Sequence, residues 1–240
     1  MQDIDTVIAN YQPSPQAVET VRSVKLVLLV GISGAGKDTI KQKLLSSGNY
    51  HDVVSHTTRQ PRENRGKLET DGVEYHFVSM DQMASMLERR ELIEANRYSN
   101  NVYATSVHEF EQARDEARIA ITDIDINGVE AYQAITPDSM SAIFLIPPSY
   151  DVWVQRWRLR YGDDYVNHID DFERRKQTAI AELKHVINTP YFFFVVNDDL
   201  DQAVQDVDTI ARTGGQSDEK RQYAKVVVEE VLHAMEHGSL

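Results

Sequence analysis

The chain has 240 residues, 41% of them hydrophobic and 26% charged, enough for one sizeable α/β domain and ordinary for a globular fold. Its formal net charge of −13 argues against a nucleic acid polymer as partner, because counterion release needs a basic surface. No stretch approaches the roughly 20 apolar residues that span a bilayer, and the absence of Cys excludes a disulfide framework or a thiolate metal site.

The acidic, polar start MQDIDTVIAN lacks a signal-peptide layout, so the expectation is a cytoplasmic protein with no membrane partner. Thr6 to Arg22, interrupted by Pro13 and Pro15, reads as a partly helical extension covering residues 1–23. Val24 to Val30 is a near-continuous apolar run of strand length, as expected for a strand buried on both faces of a parallel sheet. It ends in a Gly-rich turn, and Asp38 to Leu45 continues as a helix closed by Gly48-Asn49. Residues 53–112 are more polar and mixed, an insertion of short strands and turns. Further strands are predicted at Ile119–Ile124 before a turn at Asn127-Gly128, at Ser141–Ile146 before Pro147-Pro148, and at Tyr191–Val196. Their alternation with helical segments predicts a doubly wound, mainly parallel α/β sheet. Beyond Lys220, Ala224, Val227, Val228, Val231 and Met235 recur at helical spacing. They predict a helix in a C-terminal extension (205–240) that serves as core cover or a dimer contact.

The turn after the first strand reads Gly31-Ile32-Ser33-Gly34-Ala35-Gly36-Lys37-Asp38-Thr39. Strand, glycines, Lys and helix in this order form a phosphate-binding loop, with backbone N–H groups turned inward and the helix N-terminus adding positive potential. Lys37 can reach the β- and γ-phosphates of ATP. Asp38 occupies the position that usually carries a magnesium-binding hydroxyl; it either joins the metal shell or repels the phosphates. Asp123 and Asp125, two apart at the predicted C-terminal end of a strand, share a face where ligands sit in open α/β sheets. Arg59 and Arg62, in Ser55-His56-Thr57-Thr58-Arg59-Gln60-Pro61-Arg62, can clamp a phosphate bidentately.

Further on come Glu69-x-x-Gly72-x-x-Tyr75-x-Phe77-Val78, Leu92-Ile93-Glu94-Ala95 and Tyr103-Ala104-Thr105-Ser106. Asp123-Ile124-Asp125-x-x-Gly128, Pro147-Pro148-Ser149, an Arg-rich helix and Val196-Asn197-Asp198-Asp199-Leu200 complete the series. In this order the motifs resemble the guanylate kinase family over about residues 24–200. The resemblance implies a P-loop NTPase domain at 24–204, with core segments 24–52, 113–150 and 176–204, an inserted nucleoside monophosphate-binding subdomain at 53–112 and a helical lid at 151–175. It implies transfer of the γ-phosphate of ATP to GMP, and to dGMP, with Mg²⁺, in purine nucleotide metabolism.

By that resemblance the ATP loop uses Gly31, Ser33, Gly34, Ala35, Gly36, Lys37, Asp38 and Thr39. Asn197 matches a position near the adenine, although an Asn at a strand end also suits a turn. Arg59, Arg62, Tyr75 and Tyr103 match the acceptor-phosphate positions, Glu94 the acidic residue that reads guanine, and Ser55 and Thr105 the hydroxyls that donate toward the base carbonyl. Asp123 lies toward the metal and Asp125 toward the guanine. Arg156, Arg160 and Arg175 align with lid arginines that close over the transferring phosphate, while Arg158 and Arg174 read as solvated. Ala95 stands where Trp is typical, Ala104 where Gly is, Asn127 where Gln is, and the loop ENRGKL before Glu69 is longer than usual. Two other readings remain at this point. One is a kinase of the same superfamily acting on a substrate such as ribose 1,5-bisphosphate. The other is a catalytically inactive module that binds a phosphopeptide. A monomer and a homodimer are both compatible with the sequence.

Overall fold

The computed structural model describes residues 4–64, 67–98 and 100–238. Helices α1 (Ile4–Ala9) and α2 (Pro15–Arg22) precede strand β1 (Leu26–Gly31) and helix α3 (Lys37–Ser46). Short strands β2 (Tyr50–Asp52), β3 (His56–Thr57), β4 (Glu63–Asn64), β5 (Lys67–Leu68) and β6 (His76–Phe77) follow, then α4 (Met80–Glu88). Next come β7 (Leu92–Tyr98), β8 (Asn101–Ser106), α5 (Val107–Asp115), β9 (Ile119–Asp123) and α6 (Ile126–Ile135). The chain ends with β10 (Met140–Ile146), α7 (Tyr150–Tyr161), a 3₁₀ turn, α8 (Ile169–Ile187), β11 (Phe192–Val196), α9 (Leu200–Thr213) and α10 (Asp218–His237). The five core strands run in the order β11-β10-β1-β9-β2, with non-consecutive neighbours that require crossover connections. This is the α/β doubly wound architecture expected from the alternation of strands and helices. Among the described residues no helix is long and apolar enough to cross a membrane.

The chain divides into two compact units. One comprises Val27–Gly48, Asp123–Glu130 and Met140–Leu240. In it β10 and β11 pair in parallel, Ile143 beside Phe193 and Leu145 beside Val195. Every residue of β1 and all but the first of β10 are buried, which is why these segments read as unbroken apolar runs. Helix α10 buries Val227, Val228, Val231 and Met235 along α8 and β11. Lys176 Nζ donates to the Gly238 carbonyl at 2.6 Å, and Arg221 donates to the Pro190 carbonyl at 2.7 Å. The C-terminal extension therefore covers core.

The other unit comprises Met1–Leu26, Asn49–Thr122 and Ala131–Ser139. Its four-stranded sheet runs β6-β3-β8-β7. Helix α4 starts in a capping box between Ser79 and Gln82, and places Met83 and Leu87 against Leu92, Val102 and Ala104. Ile4, Val7, Ile8 and Tyr11 of the N-terminal extension pack on the same cluster, as does Ala95. Pro15 sits at the first position of α2 behind a Ser14 cap, so this proline starts a helix instead of interrupting one. Within ENRGKL, β4 and β5 pair antiparallel, while the tip expected at Arg65-Gly66 lies outside the described residues.

Two further local expectations are corrected. Asn127-Gly128 is no turn: both residues lie in the first turn of α6, because the Asp125 carboxylate accepts the Gly128 N–H at 2.8 Å and caps the helix. Strand β9 ends at Asp123, so Asp125 lies beyond the strand.

Candidate active site

The phosphate loop connects β1 to α3. Gly36 caps α3 at φ +98°, and a Cβ there would lie 2.3 Å from the Asn197 amide nitrogen. Lys37 Nζ donates to the Gly31 carbonyl at 2.5 Å, curling the ammonium over the loop. Burial pushes the Lys37 ammonium below its ordinary range, opposed by the nearby Asp123 carboxylate. Asp38 and Thr39 are exposed in the first turn of α3.

The three predicted lid arginines converge on this loop. Ser33 Oγ accepts from Arg175 at 2.7 Å and from Arg160 at 3.2 Å. Arg156 donates to the Asn197 carbonyl at 2.7 Å and to the Ala35 carbonyl at 3.4 Å. Asp171 holds Arg175 at 2.6 Å and accepts from the Tyr161 hydroxyl at 2.7 Å. Burial would raise the Asp171 carboxyl, but these donors outweigh it and hold it at about 2. Exposed Arg158 lies over the Tyr165 ring, and exposed Arg174 pairs with Asp171.

Asp123 accepts from Lys41 Nζ at 2.9 Å. Burial works to raise the Asp123 carboxyl, and the Lys41 and Lys37 cations overcome it, leaving the group ionised. Glu182 of α8 interacts electrostatically with Lys37 and Asp125, and burial raises its carboxyl.

The acceptor-side residues form a second cluster, in the unit that holds β3, β7 and β8. Arg59 is buried and forms a bidentate ion pair with Glu69, at 2.7 and 3.0 Å. Its guanidinium carbon lies 5.2 Å from the Tyr75 ring centroid, and Tyr75 meets Tyr103 edge-on at 5.8 Å. Arg62 has an exposed side chain, and its backbone N–H is fixed by Glu69 at 2.8 Å.

A register shift between Leu92 and Glu94 makes a β-bulge that sets Glu94 opposite Thr105. Thr105 Oγ1 donates to Glu94 Oε1 at 2.8 Å, and Asn96 Nδ2 donates to Oε2 at 2.6 Å. In this structure the Thr105 hydroxyl therefore orients the carboxylate. The Ser55 carbonyl accepts from the His76 N–H at 2.9 Å, fixing the residue just before β3 that carries the Ser55 hydroxyl.

The guanylate kinase family model matches residues 23–213. The guanylate kinase of Pseudomonas fluorescens strain Pf0-1 is 33% identical over 201 residues, which cover 83% of this chain and 92% of that protein. The guanylate kinase of Desulfitobacterium hafniense strain Y51 is 35% identical over 186 residues, covering 77% and 88%. The chain belongs to the guanylate kinase family. A solved guanylate kinase from Anaplasma phagocytophilum shares the fold, with TM-score 0.52 and 21% identity over 88% of this chain and 96% of that one.

Several groups in this guanylate kinase family member escaped the sequence reading. Glu69 was visible as a motif letter, but its pairing with Arg59 was not. Asn96 carried no signal at all. Trp153 donates its indole N–H to the Ser33 carbonyl at 2.7 Å and packs beneath Gly34, where an apolar helix position gave no hint of a role on the loop.

Asn197, matched to the adenine, uses its side-chain amide to donate to the Ala35 carbonyl at 2.8 Å. Asn197→Ala removes this buried bond and is expected to raise the KM for ATP about three- to tenfold, with the KM for the acceptor unchanged. Initial rates with ATP varied at fixed acceptor measure it.

A buried carboxylate braces the connection that leads into β3 and on to Arg59. Glu109 accepts the Val54 N–H at 3.1 Å and lies 3.0 Å from His76 Nε2. The His56 ring lies tilted against that of His76, with ring centroids 4.6 Å apart. Burial, and then the neighbouring His76, depress the His56 imidazole to about 4. Folding therefore favours neutral His56. The corresponding stability is complete above the unfolded value of 6.5 and is lost as pH falls toward about 4. His56→Gln should flatten the Tm-against-pH curve in that window, by an equivalent on the order of 1–2 kcal/mol after allowing for solvent screening. An unchanged slope in differential scanning calorimetry contradicts this.

Proposed function

We propose that the chain transfers the γ-phosphoryl group of ATP to GMP, and to dGMP, giving ADP with GDP or dGDP. The observation that carries the reading is the oriented Glu94 carboxylate, held by Thr105 and Asn96 in the unit that also holds Arg59, Arg62, Tyr75 and Tyr103. Guanine presents a ring N–H and an exocyclic amine to a carboxylate. Adenine presents a ring acceptor at the equivalent place and leaves two acceptors facing each other. A carboxylate has about four acceptor positions, so two orienting donors and two guanine donors are compatible.

In the reaction a phosphate oxygen of GMP attacks the γ-phosphorus, and the bond from that phosphorus to the β–γ bridging oxygen breaks. Such a transfer needs positioning and charge neutralisation, not a covalent nucleophile. Lys37 neutralises charge on the β- and γ-phosphates. Arg156, Arg160 and Arg175 supply further cations toward the moving phosphoryl group. Arg59, Arg62 and the Tyr75 and Tyr103 hydroxyls hold the acceptor phosphate, with Glu69 setting the plane of Arg59.

Among the described residues no cluster of three or more His, Cys, Asp or Glu could hold a metal alone. Mg²⁺ binds nucleotide phosphates with one or two carboxylates and keeps its remaining waters. Asp123 and Asp38 would hold it there, with the Thr39 hydroxyl nearby in sequence. Bound there, Mg²⁺ would supply charge stabilisation to the transferring phosphates.

Product analysis by ³¹P NMR tests the reading. Mg·ATP with GMP should give GDP and ADP in equal amounts. Phosphorylation of ribose 1,5-bisphosphate instead would overturn it.

A further inference from the structure

We propose that the N-terminal extension sets the base-reading carboxylate, clamping β7 from its outer side so that Glu94 is held ready for guanine. The inference rests on the reading of Glu94 given above.

Strand β7 is the last strand of its sheet, paired on one side with β8. An edge strand presents unpaired backbone groups and is free to shift unless something covers it. Here the cover comes from the N-terminus. The Tyr11 hydroxyl donates to the Leu92 carbonyl at 2.7 Å and accepts the Leu92 N–H at 3.1 Å. One side chain thus satisfies both polar groups of the residue where the bulge begins. At the other end of the strand, Arg97 pairs with Asp5 at 2.6 Å. Glu94 and Asn96 lie between these two anchors.

The apolar contacts point the same way. Ile4, Val7, Ile8 and Tyr11 pack on the cluster of Leu92, Val102 and Ala104, as does Ala95, the neighbour of Glu94. Helix α1 contacts β7. A bulge is a two-against-one irregularity, and a shift of one residue there would turn Glu94 to the opposite face. The extension locks the register at the one strand whose register decides what base is read.

Tyr11→Phe tests the proposal in the full-length protein, since it removes only the hydroxyl. The expected result is a KM for GMP raised about three- to tenfold, with kcat and the KM for ATP within about twofold of the parent. The GMP-over-AMP preference should fall by a matching factor. A merely structural role would lower Tm and leave KM and base preference alone, and that result overturns the proposal. A charge swap provides a second arm. Asp5→Arg should raise the KM for GMP about twofold, and adding Arg97→Asp should restore it. Failure of the reverse pair to restore what the single change lost counts against the clamp. If the parent protein turns over AMP as well as GMP, the Glu94 reading itself has failed, which these variants do not mimic.

Discussion

Lys37→Ala is expected to lower kcat by ~10³-fold or more, with the protein still folded. The reasoning starts from the overall charge of −13, which gives no general attraction for phosphates, so the loop must supply its own cation. Lys37 lies at the start of α3, largely desolvated, with its ammonium directed back across the loop to Gly31. Desolvation makes the cation costly to hold and strong once a phosphate arrives. Charge moves from the γ-phosphate toward the β–γ bridge during transfer, so the loss should fall on kcat more than on the KM for ATP. Arg156, Arg160 and Arg175 hydrogen-bond the same loop, at Ala35 and Ser33, and they account for residual activity. Initial-rate kinetics, with circular dichroism to establish folding, measure the effect. A loss below about tenfold would show that the lid arginines carry the neutralisation instead.

Glu94→Gln should collapse base selectivity. The parent carboxylate offers acceptors only, whereas the amide places a donor against one of guanine's donors. Leaving that buried donor unpaired is expected to lower kcat/KM for GMP about 10²- to 10⁴-fold. For AMP, which gains a donor opposite its ring nitrogen, kcat/KM should stay level or rise. The readout is the ratio of the two kcat/KM values. A variant that discriminates as the parent does would remove Glu94 from base recognition. Thr105 and Asn96 can still bond a Gln side chain, so the substitution tests chemistry with little change of packing.

The fold and the phosphate-loop half of the candidate site were legible because they are local. Strand β1, the glycine loop and α3 are contiguous, and their apolar run, glycines and Lys follow directly from backbone requirements. The acceptor residues could be named from the motif series, but their relations could not. The bulge that faces Glu94 toward Thr105 comes from a register, which single-strand periodicity does not encode. The Arg59–Glu69 pair closes across a loop, and Tyr11 reaches Leu92 from a distant part of the chain. Asn127-Gly128 misled because that dipeptide favours a turn in isolation, while the Asp125 cap starts a helix there. Asn197 showed the same ambiguity; its side chain holds the loop at Ala35.

Glu94 is proposed to make this chain a kinase of guanine nucleotides. The most direct test is the ratio of kcat/KM for GMP to that for AMP, measured on the full-length protein with Mg·ATP. The predicted ratio is on the order of 10³ or more, as for sites built to hydrogen-bond a particular edge. A ratio near one, with ATP turned over normally, would contradict it.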